Sequence, residues 1–213
     1  MTVPQTLDER LTAGPISLRF VQPNDIRALA ELQLDSASRW KGRWRGATPS
    51  PGAVTQQIAR HEGPFFVITN ALDDVVGCIG AYRFRPTTGL ALINLEIAPQ
   101  ARRTGTAAVA AGCMIDHLFE DHPIERIRIE LTERTARSLR AIVVEFETEA
   151  VLHDFVAERS GRSPVYVLGI DRDAFRRRLL PLLNQVRRGR SVDSAVAELY
   201  SKVHVRHETR TTR

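Results

Sequence analysis

Apolar and polar residues alternate over residues 16–21, "ISLRFV", which predicts a half-buried strand. The next segment, "QPNDIRALAELQLDS", switches to a helical period. Ile26, Leu29, Leu32 and Leu34 share roughly one face, with Asn24 or Asp25 as N-cap. Periodicity stops in "RWKGRWRGATPSPG", a loop whose Trp40 and Trp44 stand among Lys41, Arg43 and Arg45. These tryptophans either hold the loop down or line the mouth of a site. Pro51 suits the first turn of a short helix, "PGAVTQQIARHE". Strands follow in "PFFVIT", "VVGCIGAYRFR" and "LALINLEI", separated by turns at "NALDD" and "PTTG". A helix over about residues 106–120 buries Val109, Met114, Ile115, Leu118 and Phe119, and "IERIRIEL" alternates as the next strand. A helix over about 136–144 and strands around 150–156 and 165–170 complete the pattern. The order suits an α/β fold, a mixed sheet with helices on its faces. Residues 1–15 read as a loose lead-in, 16–175 as the domain and 176–213 as an extension.

Composition sets limits on this picture. A chain of 213 residues with 43% hydrophobic and 26% charged residues can bury a core in one domain. No run of about 18 apolar residues predicts a membrane span. The polar N-terminus lacks the apolar stretch of a signal peptide, so a cytoplasmic location is expected. Cys78 and Cys113 lie in apolar segments and read as reduced core residues. The six histidines show no metal-ligand spacing, so no metal is expected. Charge is uneven: residues 171–213 carry 11 Lys and Arg against 5 Asp and Glu, while the remainder is close to neutral. The basic excess therefore lies at the C-terminal end.

Chemistry enters at "IAPQARRTGTAAVAAG", where a strand hands over to a helix. The first N–H groups of a helix have no internal partners, and with the helix dipole behind them they form a seat for an anion. Gly105 permits a tight turn and close approach of a ligand to the backbone. Thr106, Ala107 and Ala108 keep the first turn thin, and Arg102 and Arg103 can add charge toward phosphate oxygens. A diphosphate fits such a seat. An ordinary helix start, with surface arginines and a chance glycine, fits the same residues. The spacing matches neither the phosphate loop of ATPases nor the three-glycine dinucleotide fingerprint.

The run Arg102, Arg103, Thr104, Gly105, Thr106, Ala107 is similar to the Q/R-x-x-G-x-G/A acyl-CoA loop of the GNAT N-acetyltransferase family. Its surroundings resemble the ribosomal-protein (RimJ/RimL-type) branch. The opening "ISLRFVQPNDIRALAEL" looks like that branch's first strand and helix, "DDVVGCIGAYRF" like its hairpin, and "YVLGIDRDAF" like its close. The resemblance implies a splayed mixed β-sheet flanked by helices, with acetyl-CoA or another acyl-CoA wedged between two diverging strands. It implies diphosphate contacts along Arg102–Ala107 and a thioester carbonyl polarised by backbone N–H groups near Ile97. The sequence departs from the family at three points. Thr135 stands where members often carry Asn, Glu145-Phe146 replaces Gly-Phe, and Ile142 lies near the place of a thiolate-protonating tyrosine.

Amide formation from a thioester needs a neutral amine, a place for the oxyanion and a proton for the thiolate. Glu96, on the strand that meets the cofactor, is the expected base, with Glu149 in reserve. Ser138 is the expected proton donor, or else a capping or surface residue. Alternation puts Asn94 and Glu96 on one face and Leu95 and Ile97 on the other, so one pair alone can face the cleft. The extension shows two apolar stripes: Leu179, Leu182, Leu183 and Val186, broken by Pro181, and then Val192, Ala195, Val196, Leu199 and Tyr200. Two short amphipathic helices follow, packed on the domain, on a second copy in a homodimer, or on an acidic partner.

Three functions fit these features. The first is transfer from acyl-CoA to a primary amine of a peptide, a protein N-terminus or a small metabolite. The second takes the acyl or aminoacyl group from a carrier protein or a tRNA, through the basic tail. The third is a non-catalytic binding module on the same fold.

Overall fold

A computed structural model of the chain describes residues 10–33, 50–138, 143, 145–158, 161–192, 194, 195, 197 and 198. Eight strands form one sheet in the order β1-β2-β3-β4-β5-β6-β8-β7. They are β1 (Arg10–Ala13), β2 (Ile16–Phe20), β3 (Phe65–Thr69), β4 (Val75–Arg85), β5 (Leu90–Ile97), β6 (Arg126–Thr132), β7 (Glu147–Glu158) and β8 (Gly161–Asp171). The helices are α1 (Ile26–Gln33), α2 (Pro51–Ala59), α3 (Thr106–Asp121), α4 (Glu133–Ser138), α5 (Arg172–Arg178) and α6 (Leu180–Arg187). Every neighbouring pair of strands is antiparallel except β5 and β6, which run parallel.

Central strands are apolar on both sides because both sides are covered. On one face Val67 of β3 and Cys78 of β4 pack against Leu29 and Ala30 of α1 and Val54 of α2. On the other, Phe66, Ile68, Ile79, Ile93 and Ile127 pack against Val109, Met114, Ile115, Leu118 and Phe119 of α3. The period-2 pattern of the strands and the period-3.6 pattern of α3 thus meet in one core.

Some boundaries differ from the sequence expectation. Residues 10–13, expected in a loose lead-in, pair as β1 with β2 across a two-residue turn whose Gly14 has φ 61°. A glycine at the first turn position is what such a hairpin accepts. The N-cap expected at Asn24 or Asp25 is a 3-10 turn over Pro23–Asp25. Asp25 there accepts two hydrogen bonds from Arg19, at 2.7 and 3.0 Å, and one from the Gln22 N–H at 2.7 Å. Helix α4 starts at Glu133, directly off β6, rather than near residue 136. Strands β7 and β8 extend well beyond their apolar runs as a long hairpin with two register shifts. Its polar, half-exposed residues carry no strong alternation to announce it.

The chain past Phe175 does not stand apart. Leu179, Leu182, Leu183, Val186, Val192 and Ala195 belong to the same core cluster as α3. Gly112 of α3 permits this contact: a Cβ there would lie 3.3 Å from Leu183 Cδ1. The pairs Arg187–Asp116 and Arg176–Glu120, each at 2.8 Å, tie the extension to α3 by charge. Pro181 opens α6 rather than breaking it, as a proline in the first helical turn does. The later part of the second stripe, Val196, Leu199 and Tyr200, lies outside the described residues, as does the Trp40–Arg45 loop.

Candidate active site

Strands β5 and β6 pair only from Leu90–Arg126 to Ile93–Ile129. Beyond that point β5 continues to Ile97 on β4, and β6 continues to Thr132 on β8. The two parallel strands therefore part at their C-terminal ends, and a slot opens between residues 94–97 and 130–132. The hydrogen-bonding groups in that slot follow from register. The Ala98 N–H donates to the Val76 carbonyl at 2.8 Å. Along an antiparallel strand successive residues direct their backbone groups to opposite sides. Leu95 and Ile97 thus turn N–H and C=O away from β4 and toward the slot. One of these groups is spoken for, since the Ile97 carbonyl accepts from Arg102 Nε at 3.1 Å.

The loop from β5 to α3 leaves by a 3-10 turn, Pro99–Ala101, and then places Arg103 at φ 67° and Gly105 at φ 76°. Left-handed residues at such a corner turn successive N–H groups to one side, a concavity suited to an anion. Gly105 is the N-cap of α3, and no side-chain hydrogen bond caps the helix. Its carbonyl takes the Ala108 and Val109 N–H groups at 2.9 and 3.1 Å, so those of Thr106 and Ala107 fall outside the helix ladder. Thr106 is buried and turns its hydroxyl to Thr104 Oγ1 at 2.7 Å, while Thr104 also donates to the Ala101 carbonyl at 2.8 Å. The first turn is left thin, as expected. Arg102, expected to offer charge to phosphate, donates its Nε to the Ile97 carbonyl at the end of β5.

Glu96 pairs with Cys78 and Asn94 with Gly80, so both side chains lie on the α1–α2 face. The Cys78 thiol is pushed well above its usual range by burial and then by the Glu96 charge, which places that carboxylate beside it. Burial likewise pushes Cys113 up to about 11, so neither thiol is a nucleophile near neutral pH. Leu95 and Ile97 point their side chains at the α3 core. The Asn94 and Glu96 side chains thus stand on the α1–α2 face, while the Leu95 and Ile97 backbone groups turn into the slot.

A sequence profile described as an acetyltransferase (GNAT) domain matches residues 16–143. The chain belongs to the GNAT acetyltransferase family. Solved structures share the fold. A RimL ribosomal L7/L12 alpha-N-protein acetyltransferase in complex with coenzyme A superposes with TM-score 0.67 at 15% identity, over 78% of this chain and 99% of that one. A spermidine N-acetyltransferase from Vibrio cholerae with CoA and spermine gives 0.68 at 16%, over 76% and 98%. A GNAT-family acetyltransferase from Bacillus anthracis gives 0.63 at 15%, over 78% and 99%. A search of curated proteins by sequence finds no match.

Two further candidates take their places in this GNAT frame. Glu149, the reserve base, lies on β7, level with the paired part of β6 rather than the slot. Its carboxylate receives Arg126 Nε at 2.5 Å and also Arg128 Nε. Burial pushes its acid up, but the two arginine bonds outweigh this and hold it below the ordinary carboxylate range. A carboxylate so engaged is part of an ion-pair ladder with Glu147, and it is not placed to take a proton in the slot. The side chain of Ser138, at the end of α4, lies outside the described residues. Among the described residues no group of three His, Cys, Asp or Glu could hold a metal, and no helix is long and apolar enough to cross a membrane.

Proposed function

We infer that the chain transfers an acyl group, acetyl foremost, from acyl-CoA to a primary amine of a peptide, a protein N-terminus or a small metabolite. One observation carries this reading: the slot between β5 and β6, with the N–H groups of Leu95 and Ile97 turned into it, opens beside the uncapped start of α3. A pantetheine arm threads a slot of that kind when its diphosphate sits on backbone N–H groups at a helix start. In this assignment Gly105, Thr106 and Ala107 hold the diphosphate by backbone N–H, with Arg103 and Thr104 shaping the turn. Ile97 and Leu95 offer N–H groups to the thioester carbonyl as negative charge develops on its oxygen. Arg102 keeps that strand end in place. Glu96 takes a proton from the attacking amine on the α1–α2 face. Ser138 gives a proton to the departing sulfur.

The neighbours' substrates, a protein N-terminus and a polyamine, both present primary amines, which supports that acceptor class. The pairing of Arg176 and Arg187 with acids of α3 favours the CoA donor over a carrier protein or tRNA, because those charges serve packing. The test is a mass-spectrometric screen of acyl-CoAs against pooled peptides, polyamines and amino metabolites. Amide products with release of CoA are expected, and release of CoA with no acylated amine in any pool contradicts the reading. Ser138→Ala should lower kcat by about 10-fold or more with little change in the acceptor KM, since the proposed role is confined to the transition state. An unchanged kcat returns Ser138 to a capping role.

A further inference from the structure

Acylating an amine that arrives as an ammonium ion removes two protons from nitrogen. One must leave before a lone pair exists to attack, and the second leaves once the C–N bond has formed. The departing thiolate consumes one proton in becoming a thiol, so one is released overall. A single carboxylate would have to unload the first proton before taking the second.

The α1–α2 face holds another group suited to this work. His61 follows α2 and lies over Gly80 of β4. A Cβ on Gly80 would stand 2.6 Å from Phe65 Cδ2 and 3.1 Å from His61 Nε2, so the imidazole occupies room that only glycine leaves. Two edge-on ring contacts fix its plane: Phe65 at 5.2 Å and 67°, and Tyr82 at 4.7 Å and 87°. Gly80 pairs with Asn94, and Cys78 with Glu96. His61 thus stands over the position diagonal to Glu96 on one sheet face, where such positions are roughly 7–8 Å apart. Arg60 and Glu62 flank it in sequence, Tyr82 of β4 meets its ring, and Asn94 and Glu96 of β5 lie on the same sheet face.

We propose that His61 is a second proton acceptor of the reaction, working with Glu96 on acceptors that arrive as ammonium ions. This rests on the acyltransferase reading above. An imidazole nitrogen takes the first N–H proton, and the freed lone pair forms the C–N bond at the thioester carbon. The C–S bonding pair leaves with sulfur, which gains a proton from Ser138 or solvent. Glu96 takes the second N–H proton as the amide forms, and both carriers return their protons to water.

The experiment compares two acceptors of one shape in the full chain with acetyl-CoA: an alkylamine, cationic at neutral pH, and its trifluoromethyl analogue, largely neutral there. His61→Gln should lower kcat/KM for the alkylamine by about 100-fold or more, the range of general acid–base catalysis, and change the neutral analogue by about threefold or less. The KM for acetyl-CoA should stay unchanged. Gly80→Ala, whose methyl crowds Phe65 at 2.6 Å and His61 Nε2 at 3.1 Å and so displaces the imidazole while leaving it in the chain, should give the same selective loss. Equal losses for both amines, or no loss for the alkylamine, overturn the proposal. If the unsubstituted protein releases CoA with neither amine nor with any pool of the screen, the acyltransferase reading fails first, and this inference with it.

Discussion

Asp25 shows how much one side chain can carry in this fold. Its carboxylate closes the turn before α1 and receives a two-pronged grip from Arg19 of β2, with both side chains under 10% exposed. Arg19 keeps a second, longer contact with the half-exposed Asp73 at 3.4 Å. Asp25→Ala leaves a buried guanidinium without its main partner and should cost about 3–5 kcal/mol by chemical denaturation; a loss below about 1 kcal/mol would show that water replaces the carboxylate. Two titrating residues add a pH dependence. His122 is held below its usual 6.5 by burial and then by the neighbouring His117. The folded state prefers the neutral ring, so this stability is full above pH 6.5 and is lost as the pH falls through the folded value. Glu149, held below 4.5 by its arginines, gives stability present above pH 4.5 and lost on further acidification. The melting temperature should therefore drop in two stages on acidification, and His122→Gln should flatten the first. A single drop, below pH 4.5 in both proteins, would show that His122 contributes nothing to the acid sensitivity.

At the scale of elements, the strand-to-helix corner was legible because its chemistry is local. Gly105, the thin first turn and the preceding strand all lie within one run of sequence, and the structure places the left-handed N-cap at that glycine. The slot was not legible from periodicity, since "LALINLEI" and "IERIRIEL" read as strands of equal standing, and where their pairing stops depends on partners far along the chain. Resemblance alone anticipated the splay. Alternation gave the two faces of β5 correctly, Asn94 and Glu96 against Leu95 and Ile97. Backbone groups lie in the sheet plane and side chains stand out of it, so the Leu95 and Ile97 N–H groups turn to the slot while their side chains face the α3 core. Glu149 misled for a related reason. An acid in a strand looks available until Arg126 and Arg128, more than twenty residues away, are seen to meet it.

Over the whole molecule, the α5–α6 extension completes the core beneath which the α3 start is held. Val192 and Ala195 are its last described contributions, both below 10% exposed. Deleting residues 191–213 should remove about 1.5–3 kcal/mol of burial. That corresponds to a fall in melting temperature of roughly 3–12 °C for a chain of this size, and the acyl transfer that remains should not depend on salt. Unchanged melting with a salt-dependent loss of transfer would instead make the tail a docking arm for an anionic carrier. On the proposed reading, acyl-CoA binds with its diphosphate at the start of α3. Calorimetric titration of acetyl-CoA into the unsubstituted protein, Gly105→Ala and Gly105→Glu tests it most directly. Both substitutions place a side chain at φ 76° and share the backbone strain of about 1–2 kcal/mol, but only the glutamate brings a negative charge to the seat. Gly105→Ala should keep measurable affinity, and Gly105→Glu should lose it at the same melting temperature. Equal affinity in all three proteins would place the diphosphate away from the start of α3.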